Sequence, residues 1–205
     1  MSRIENAEFE ELLGGAPVMA IFRGLGARRS LELVERAWGL GIDAVELPIQ
    51  SDDDVEALRV VAAAARERGR VVGAGTVVTV EQVELAARAG AAFTVSPGFD
   101  EAVVRASAEA GLPPLPGVAT ATEVQRATAL GLSWLKAFPA SALGPGWFRA
   151  MRGPFPGVRF VATGGMDADN AGGFLAAGVR SVAVGQALED ESQLPRLAEL
   201  LRGRG

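Results

Sequence analysis

The stretch SWLKAFP, residues 133–139, is an apolar run that contains one lysine and ends at Phe-Pro. A short apolar run closed by proline predicts a buried β-strand. Lys136 is the only lysine among the 20 basic residues of the chain, and all the others are arginines. Arginine serves wherever a fixed positive charge is needed, whereas only lysine can lose its proton and attack a carbonyl carbon. The stretch therefore predicts a buried reactive amine, with an ordinary surface lysine as the alternative.

Similar apolar runs recur along the chain, and each is followed by a turn and a stretch rich in Ala, Leu, Glu and Arg. They begin about 20 to 27 residues apart, the spacing of strand–helix units. The runs are Val18–Phe22, Ala44–Ile49, Val71–Ala74, Phe93–Ser96, Leu115–Pro116, Trp134–Lys136, Arg159–Ala162 and Ser181–Val184. Eight strands alternating with eight helices predict a (β/α)8 TIM barrel. An open doubly wound sheet is the alternative, but Gly24-Leu25-Gly26 lacks the third glycine of a dinucleotide-binding motif.

Helix boundaries can be predicted from the same repeat. A short leading helix is expected around residues 5–13, with Phe9, Leu12 and Leu13 on one face and Gly14-Gly15 at its end. Helix-capping side chains are expected at Ser30, Asp52, Thr79, Asp100, Thr120 or Thr122, and Asp167. No linker or low-complexity segment interrupts the repeat, so residues 1–205 are expected to form a single domain.

Composition narrows the possible functions. With 49% hydrophobic residues, 22% charged residues and a net charge of −5, the chain has a globular balance that gives no reason to expect nucleic acid or an anionic membrane as a partner. It has neither a signal-peptide pattern nor a membrane-spanning stretch, so we expect a cytoplasmic protein. The absence of cysteine and histidine excludes thiol nucleophiles, histidine-based triads and the usual zinc sites. The chemistry must use carboxylates, the lysine, arginines, hydroxyls, backbone amides or an oxygen-ligated metal.

In a barrel of this type the active site forms where the strands end. Lys136 ends the sixth predicted strand, and Glu46 lies within the second, in the sequence VELPI. A carboxylate in an apolar strand predicts a general acid/base, with a partly exposed charge at a strand end as the alternative. Because a Schiff-base enzyme without histidine needs another proton-transferring group, Glu46 and Lys136 are predicted together as catalytic residues.

Two glycine-containing turns predict a phosphate site. Gly164-Gly165 follow the seventh strand and precede a helix expected near Asp167, and Gly185-Gln186 follow the eighth strand. Glycine lets backbone N–H groups approach an anion, a helix N-terminus favours negative charge, and barrels often bind phosphate after these two strands. A simple tight turn is the alternative at Gly164-Gly165.

Further candidate substrate-binding residues follow the remaining strands. Arg23, after the first strand, is the cation best placed to hold a carboxylate or a phosphate. Thr76, after the third, offers a hydroxyl to a carboxylate oxygen unless it caps the next helix. Phe138 is either a wall of the pocket or part of the core. Pro97 and Thr163 stand at the ends of the fourth and seventh strands.

Five motifs occur in a characteristic order: VELPI at 45–49, GAGTV at 73–77, Ser96-Pro97, KAFPA at 136–140, and Thr163-Gly164-Gly165. Together they resemble the 2-keto-3-deoxy-6-phosphosugar-acid aldolase family, from about Pro17 to Gly185. The resemblance implies a (β/α)8 barrel, usually a homotrimer, that acts as a class I aldolase without a metal or organic cofactor. It implies a phosphorylated 2-keto-3-deoxy sugar acid as substrate, with pyruvate and glyceraldehyde 3-phosphate as products.

The same resemblance assigns roles to individual residues. Lys136 is similar to the Schiff-base lysine of the family and Glu46 to its proton-transferring glutamate. Thr76 corresponds to the threonine that holds the pyruvate carboxylate. The phosphate loop corresponds to Gly164-Gly165 and residue 186, where Gln186 replaces the usual serine.

Two branches of the family differ near the glutamate. The gluconate branch has an arginine four residues after it, where this chain has Gln50, and ELPIQ at 46–50 is similar to the EIPLN of the galactonate branch. Arg23-Gly24 and residues 136–145 also resemble the galactonate branch, whereas Thr163 matches the gluconate branch. The resemblance therefore implies a 2-dehydro-3-deoxy-6-phosphogalactonate aldolase. The alternatives are the gluconate epimer or both epimers, 4-hydroxy-2-oxoglutarate, a metal-dependent aldolase, and a non-catalytic phosphosugar-binding barrel.

Overall fold

Nine parallel strands form one sheet that curves into a nearly closed barrel within the described residues, 4–13, 17–190 and 192–202, of this computed structural model. The strands are β1 (Val18–Ile21), β2 (Val45–Pro48), β3 (Gly73–Gly75), β4 (Thr94–Val95), β5 (Pro114–Leu115), β6 (Gly117–Val118), β7 (Trp134–Ala137), β8 (Arg159–Thr163) and β9 (Ser181–Val184). Their order in the sheet is β5-β4-β3-β2-β1-β9-β8-β7-β6. This arrangement confirms the predicted (β/α)8 barrel.

Helices precede and alternate with these strands, and all but the first cover the outside of the barrel. They are α1 (Phe9–Leu13), α2 (Gly26–Gly39), α3 (Asp52–Glu67), α4 (Val80–Ala89), α5 (Glu101–Glu109), α6 (Ala121–Ala129), α7 (Ala140–Arg152), α8 (Ala171–Ala176) and α9 (Leu194–Arg202). The short leading helix α1 was predicted, while its predicted end at Gly14-Gly15 lies outside the described residues. In the part of the chain that the structure describes, no helix is long and apolar enough to cross a membrane.

The fifth strand of the predicted barrel is divided in two. β5 pairs with β4, β6 pairs with β7, and Pro116 stands between them. Proline has no N–H and cannot donate a ladder hydrogen bond, which favours a break at this position. The Pro116 carbonyl still accepts a hydrogen bond from the Lys136 N–H at 2.9 Å. β5 and β6 therefore share one position in the barrel, which accounts for nine strands where eight were predicted.

Large apolar side chains fill the amino end of the barrel. Phe9 and Leu13 of α1 are buried in one cluster with Phe93 and Trp134. The Phe9 ring centroid lies 5.4 Å from that of Phe93 and 6.4 Å from that of Trp134. Helix α1 therefore covers the barrel interior at the amino end.

The filled interior determines which residues face the opposite, carboxyl end. Successive side chains of a strand point to opposite faces, so residues two apart share a face. Trp134 and Ala44 belong to the interior cluster. Lys136 and Glu46 follow them by two positions and therefore also face the interior. Thr163 does so as well, because it follows Val161 of the same cluster by two positions.

Three of the predicted helix caps are confirmed and three are wrong. The side chains of Thr79, Asp100 and Thr120 each accept a hydrogen bond from a backbone N–H at the start of their helix. By contrast, Ser30 is buried inside α2, Ser51 instead of Asp52 caps α3, and Asn170 instead of Asp167 precedes α8. Ser51 takes the cap because its hydroxyl accepts from the Asp54 N–H, three residues along, while the Asp54 carboxylate accepts from the Ser51 hydroxyl.

Candidate active site at the carboxyl ends of the strands

Lys136 and Glu46 meet inside the barrel, although β7 and β2 lie on opposite walls. Lys136 Nζ lies 3.8 Å from Glu46 Oε1, and the two side chains are only 5% and 1% exposed. This separation exceeds a direct hydrogen bond, and Glu46 Oε1 has no hydrogen-bond partner among the described residues. Because a buried carboxylate oxygen is costly without a partner, the geometry suits a third group that binds between the amine and the carboxyl group.

Two strand glycines allow close approaches at and beside this pair. A Cβ atom at Gly75 would overlap the Glu46 carboxyl group, and one at Gly117, the register partner of Lys136, would overlap the Pro97 carbonyl. Sequence reasoning did not select Gly75 or Gly117 as site residues. The available signal was a glycine inside a predicted strand or next to its end, which often marks a close approach of another group.

Arg23, after β1, is held by residues that follow the next two strands. Arg23 Nη1 donates to Gln50 Oε1 at 2.6 Å, and Arg23 Nη2 donates to Thr76 Oγ1 at 3.4 Å. Arg23 and Gln50 are exposed, and Thr76 is half-buried. These contacts place a positive charge at the rim of the open end. The sequence singled out Gln50 only as a position that differs between family branches.

Thr76 has a backbone conformation that is unusual for its residue type. Its φ is +57°, the only positive φ of a non-glycine residue in the described ranges. This conformation costs a β-branched residue about 1 to 3 kcal/mol, and such strain is concentrated at functional sites. The next residue, Val77, is fixed by a hydrogen bond from its N–H to the Val95 carbonyl at 3.1 Å. Helix α4 is capped by Thr79, so helix capping does not explain Thr76.

The Gly164-Gly165 turn follows β8 and combines bonded carbonyls with free N–H groups in the described part of the chain. Both residues have positive φ values, +96° and +70°, which glycine adopts without strain. Their carbonyls accept hydrogen bonds from the Ser141 N–H at 3.0 Å and from Asn170 Nδ2 at 2.8 Å. Their N–H groups, in contrast, have no partner within the described part of the chain. The turn thus has donors available for an anion.

The neighbouring turn after β9 has the same property. Gln186 is exposed and begins a single 3-10 turn, Gln186–Leu188, while the Gly185 carbonyl accepts from the Leu188 N–H at 2.9 Å. The N–H groups of Gly185 and Gln186 likewise lack a partner among residues 17–190.

The helix that was predicted to begin near Asp167 begins later, at Ala171. The Asp167 carboxylate accepts hydrogen bonds from the N–H groups of Asp169 and Asn170, which form a turn before α8. Donors at this side therefore come from the two turns instead of a helix start at Asp167.

The remaining predicted residues line the space between these groups. Lys136 Nζ lies 5.5 Å from the centroid of the half-buried Phe138 ring. A Cβ atom at Gly164 would come within 3.0 Å of the same ring, so Phe138 joins the lysine to the glycine turn. Thr163 is 5% exposed, and half-buried Pro97 packs its carbonyl on Gly117. Phe138 therefore lies between the lysine and the glycine turn.

The predicted residues thus fall into three groups around one opening: the buried Lys136–Glu46 pair with Phe138, the rim group of Arg23 and Thr76, and the glycine turns. Hydrogen bonds link the members of the rim group to each other. None links the rim group to Lys136 or Glu46 within the described residues. The space between the groups is where an elongated substrate with a negative charge could lie.

A cavity of about 750 Å³ opens at the amino end of the barrel, beside α1. Its arginines are already paired, Arg68 with Glu35 and Arg70 with Asp43. Its floor is made of apolar side chains such as Phe9 and Phe93. Its lining residues include no counterpart of the buried lysine–glutamate pair.

Fold and site together define a barrel enzyme whose reactive groups are a buried amine and a buried carboxyl group. A model of the KDPG and KHG aldolase family matches residues 9–200, nearly the whole chain. The chain therefore belongs to the KDPG and KHG aldolase family and is an aldolase, as the sequence motifs predicted.

Relatives of known name support this assignment. The probable 2-dehydro-3-deoxy-6-phosphogalactonate aldolase of Rhizobium meliloti (strain 1021) is 39% identical over 173 residues, 84% of this chain and 81% of the relative. The 2-dehydro-3-deoxy-phosphogluconate aldolase of Dickeya dadantii (strain 3937) is 32% identical over 168 residues, 82% of this chain and 78% of the relative. The relatives thus agree on aldolase activity but differ in the sugar acid that they are named for.

A solved structure adds information on chemistry. KDPG aldolase from Legionella pneumophila, with pyruvate captured as a covalent carbinolamine, superposes with a TM-score of 0.80 at 27% identity, covering 95% of this chain and 96% of that one. A carbinolamine forms when an amine adds to a ketone, so that relative reacts with pyruvate through an amine.

Proposed function

We propose that this protein is a class I aldolase that cleaves 2-dehydro-3-deoxy-6-phosphogalactonate to pyruvate and D-glyceraldehyde 3-phosphate. The observation that carries the proposal is the buried Lys136–Glu46 pair, 3.8 Å apart, in a chain with no other lysine. The neutral form of this amine is the one that attacks a ketone.

In the first half of the reaction, Lys136 Nζ attacks the C2 carbonyl carbon and forms a carbinolamine. Glu46 donates a proton to the C2 hydroxyl, which leaves as water, and the nitrogen lone pair completes the iminium. Glu46 Oε1 suits this role, because it lies beside Lys136 Nζ and accepts no hydrogen bond from any described residue.

In the second half, Glu46 accepts the proton of the C4 hydroxyl, directly or through a water molecule. The C3–C4 bond then breaks and its electron pair moves into the iminium, so that an aldehyde leaves and an enamine remains on Lys136. Protonation of the enamine at C3 and addition of water to the resulting iminium release pyruvate and restore the free amine. No step requires a metal ion or an organic cofactor.

The glycine turns and the rim group suit the two ends of such a substrate. The N–H groups of Gly164, Gly165, Gly185 and Gln186 are suited to a phosphate, since backbone donors and glycine turns bind anions well. Thr76 and Arg23 offer a hydroxyl and a positive charge to an oxyanion. Phe138, Pro97 and Thr163 would enclose the carbon chain between them.

The galactonate epimer is preferred for two reasons. The Rhizobium meliloti relative is named for it, and Gln50 stands where the gluconate branch has arginine. The gluconate epimer is the second candidate, because the buried Thr163 matches that branch.

We further propose one catalytic domain in a cytoplasmic homotrimer. Sedimentation equilibrium tests the trimer, which should have three times the 21.2 kDa mass of the chain.

Borohydride trapping with pyruvate tests the chemistry. Reduction should add one pyruvate-derived group to the intact mass, and peptide mapping should place it on Lys136. Since Lys136 is the only lysine, the α-amino group is the sole other amine to exclude. Lys136→Met is the control and should not be trapped. Folded protein that gives no adduct, or an adduct only at the α-amino group, contradicts the Schiff-base mechanism.

Substrate choice is tested by pyruvate release from both 6-phosphorylated epimers, from the unphosphorylated galactonate acid and from 4-hydroxy-2-oxoglutarate. The proposal requires the highest kcat/KM with the phosphorylated galactonate epimer. A higher value with the gluconate epimer assigns the second candidate function. Equal rates without phosphate contradict a phosphate-binding role for the glycine turns.

A further inference from the structure

The side chain of Gln50 lies against the most exposed charged group of the candidate site. Gln50 Oε1 accepts a hydrogen bond of 2.6 Å from Arg23 Nη1, whereas the Thr76 contact to Arg23 Nη2 is longer, at 3.4 Å. A hydrogen bond from a charged donor at such a distance is among the stronger ones in proteins. Gln50 is therefore the main polar contact that orients the guanidinium.

The backbone at Gln50 is fixed on both sides. Its own N–H donates to Asp54 Oδ2 at 3.2 Å, within the cap of helix α3 that Ser51 begins. The preceding residue, Ile49, is buried, and its carbonyl accepts from Gln82 Nε2 at 3.1 Å. The backbone position of Gln50 is thus fixed, although the side chains of Gln50 and Arg23 are exposed to water.

The chemical nature of the Gln50 side chain matters as much as its position. An acidic residue at 50 would also orient Arg23, but it would cancel the positive charge that attracts an anion. A glutamine amide oxygen accepts the same hydrogen bond and leaves the net charge of Arg23 intact. Arg23 then keeps its remaining N–H donors, at full charge, for a ligand.

We propose that Gln50 is a positioning residue that holds the Arg23 guanidinium over the open end of the barrel, ready to bind an oxyanion of the substrate. This inference rests on the proposed function. Gln50 acts through Arg23 and contributes to substrate affinity, while Lys136 and Glu46 determine the rate of bond cleavage. Carboxylate and phosphate share the chemistry that Arg23 would recognise, so the test uses substrates with and without the phosphate.

The test is a double-mutant cycle on pyruvate release, with the variants Gln50→Leu, Arg23→Leu and the double variant. Gln50→Leu should raise KM about tenfold, the equivalent of one hydrogen bond to a charged group, with kcat within about twofold of the wild type. In the Arg23→Leu background it should have no further effect, because the group that Gln50 orients is gone. Additive effects in the cycle, or a loss confined to kcat, overturn the inference.

Two further variants separate orientation from charge. Gln50→Glu keeps an acceptor for Arg23 but cancels its charge, and should raise KM at least as much as Gln50→Leu. Gln125→Leu, at an exposed glutamine on α6, is the matched control and should change nothing. If Gln50→Glu behaves like the wild type, retention of the Arg23 charge is not the reason for glutamine, and the inference is wrong.

The source of the oxyanion follows from comparing substrates. If the Gln50→Leu effect on KM disappears with the unphosphorylated sugar acid, Arg23 binds the phosphate; if it persists, Arg23 binds the carboxylate. Failure of the inference differs visibly from failure of the proposed function. A wild type that neither releases pyruvate nor is trapped by borohydride overturns both, whereas an active wild type without coupling between Arg23 and Gln50 overturns the inference alone.

Discussion

The Glu46 carboxyl group lies directly over the bare Cα of Gly75 on the neighbouring strand, where a Cβ atom would overlap Oε1. The register pairs Glu46 with Gly73, two residues earlier, so the glutamate side chain leans along β3 towards the open end. The absence of a side chain at Gly75 therefore sets the position of the carboxyl group relative to Lys136.

Gly75→Ala should consequently lower kcat more than it affects folding. The added methyl group would push the carboxyl group out of its place, and a displacement of about 1 Å can reduce the rate by about a hundredfold. The Glu46 side chain is flexible and can give way, so the melting temperature should fall only slightly. Steady-state kinetics and thermal unfolding measure the two effects.

Gly172→Ala, where an added Cβ has nothing within 4 Å, is the control for the glycine-to-alanine change itself and should retain full activity. A fully active Gly75→Ala enzyme would mean that Glu46 either tolerates displacement or is not the proton-transferring group.

Thr163→Val should shift the preference between the two epimers towards the galactonate acid. Thr163 ends β8 and is only 5% exposed, and valine has the same shape without the hydroxyl. A buried hydroxyl that hydrogen-bonds one epimer discriminates against the other by about 1 to 3 kcal/mol, or roughly 5- to 150-fold. The ratio of kcat/KM values for the two phosphorylated epimers measures the shift. An unchanged ratio would show that Thr163 does not contact the hydroxyl that distinguishes them.

The buried Lys136–Glu46 pair could be predicted from the sequence because its signals are local. Lys136 and Glu46 are each preceded by apolar residues in a short run, and strand alternation then directs both side chains to the face shared by Trp134 and Ala44. The repeat of eight strand–helix units predicted the barrel. It also placed the glycine turns after the last two predicted strands.

Other features depend on contacts between distant residues, which no local pattern reveals. The Arg23–Gln50 hydrogen bond joins residues 27 positions apart through the twist of two strands. The need for glycine at position 75 could not be predicted, because it depends on the Glu46 carboxyl group that packs against its Cα. The division of the fifth strand depends on which neighbour each half pairs with, so Pro116 alone could not predict it.

Asn6 is the clearest case of a long-range contact, and Asn6→Ala should destabilise the barrel. Its Nδ2 donates to the carbonyls of Pro114 at 3.0 Å and Trp134 at 2.8 Å, and its Oδ1 accepts from the N–H groups of Ser133 and Trp134. This buried amide thus joins the start of β5 to the start of β7. Loss of these bonds should lower the free energy of unfolding by about 2 to 4 kcal/mol.

Urea unfolding measures the effect, and two further variants interpret it. Asn6→Asp keeps the acceptor but points a charged oxygen at two carbonyls, so it should be at least as destabilising. Glu5→Ala, at the exposed neighbouring residue, should stay within about 0.5 kcal/mol of the wild type. An Asn6→Ala protein as stable as the wild type would mean that other contacts close the barrel at this point.

Glu123 should make the stability of the fold depend on pH in the acid range. Burial by itself raises the pKa of this carboxyl group, but hydrogen bonds from the Ala119 N–H and from the hydroxyl and N–H of Thr120 outweigh it, so the pKa lies below its ordinary value of 4.5. These bonds form a capping box at the start of α6.

A carboxyl group whose pKa is lowered by folding binds fewer protons in the folded than in the unfolded protein. Its contribution is therefore fully present above pH 4.5 and is lost as the pH falls through the lowered value. Glu123→Ala should be less stable than the wild type at pH 7, and the difference should shrink steadily below pH 4.5 in urea unfolding curves measured at successive pH values. Glu109→Ala, an exposed glutamate that ends α5, is the control and should give no such trend. A Glu123→Ala deficit that is the same at pH 7 and at pH 3 would assign the loss to helix propensity or packing and not to the ionised carboxylate.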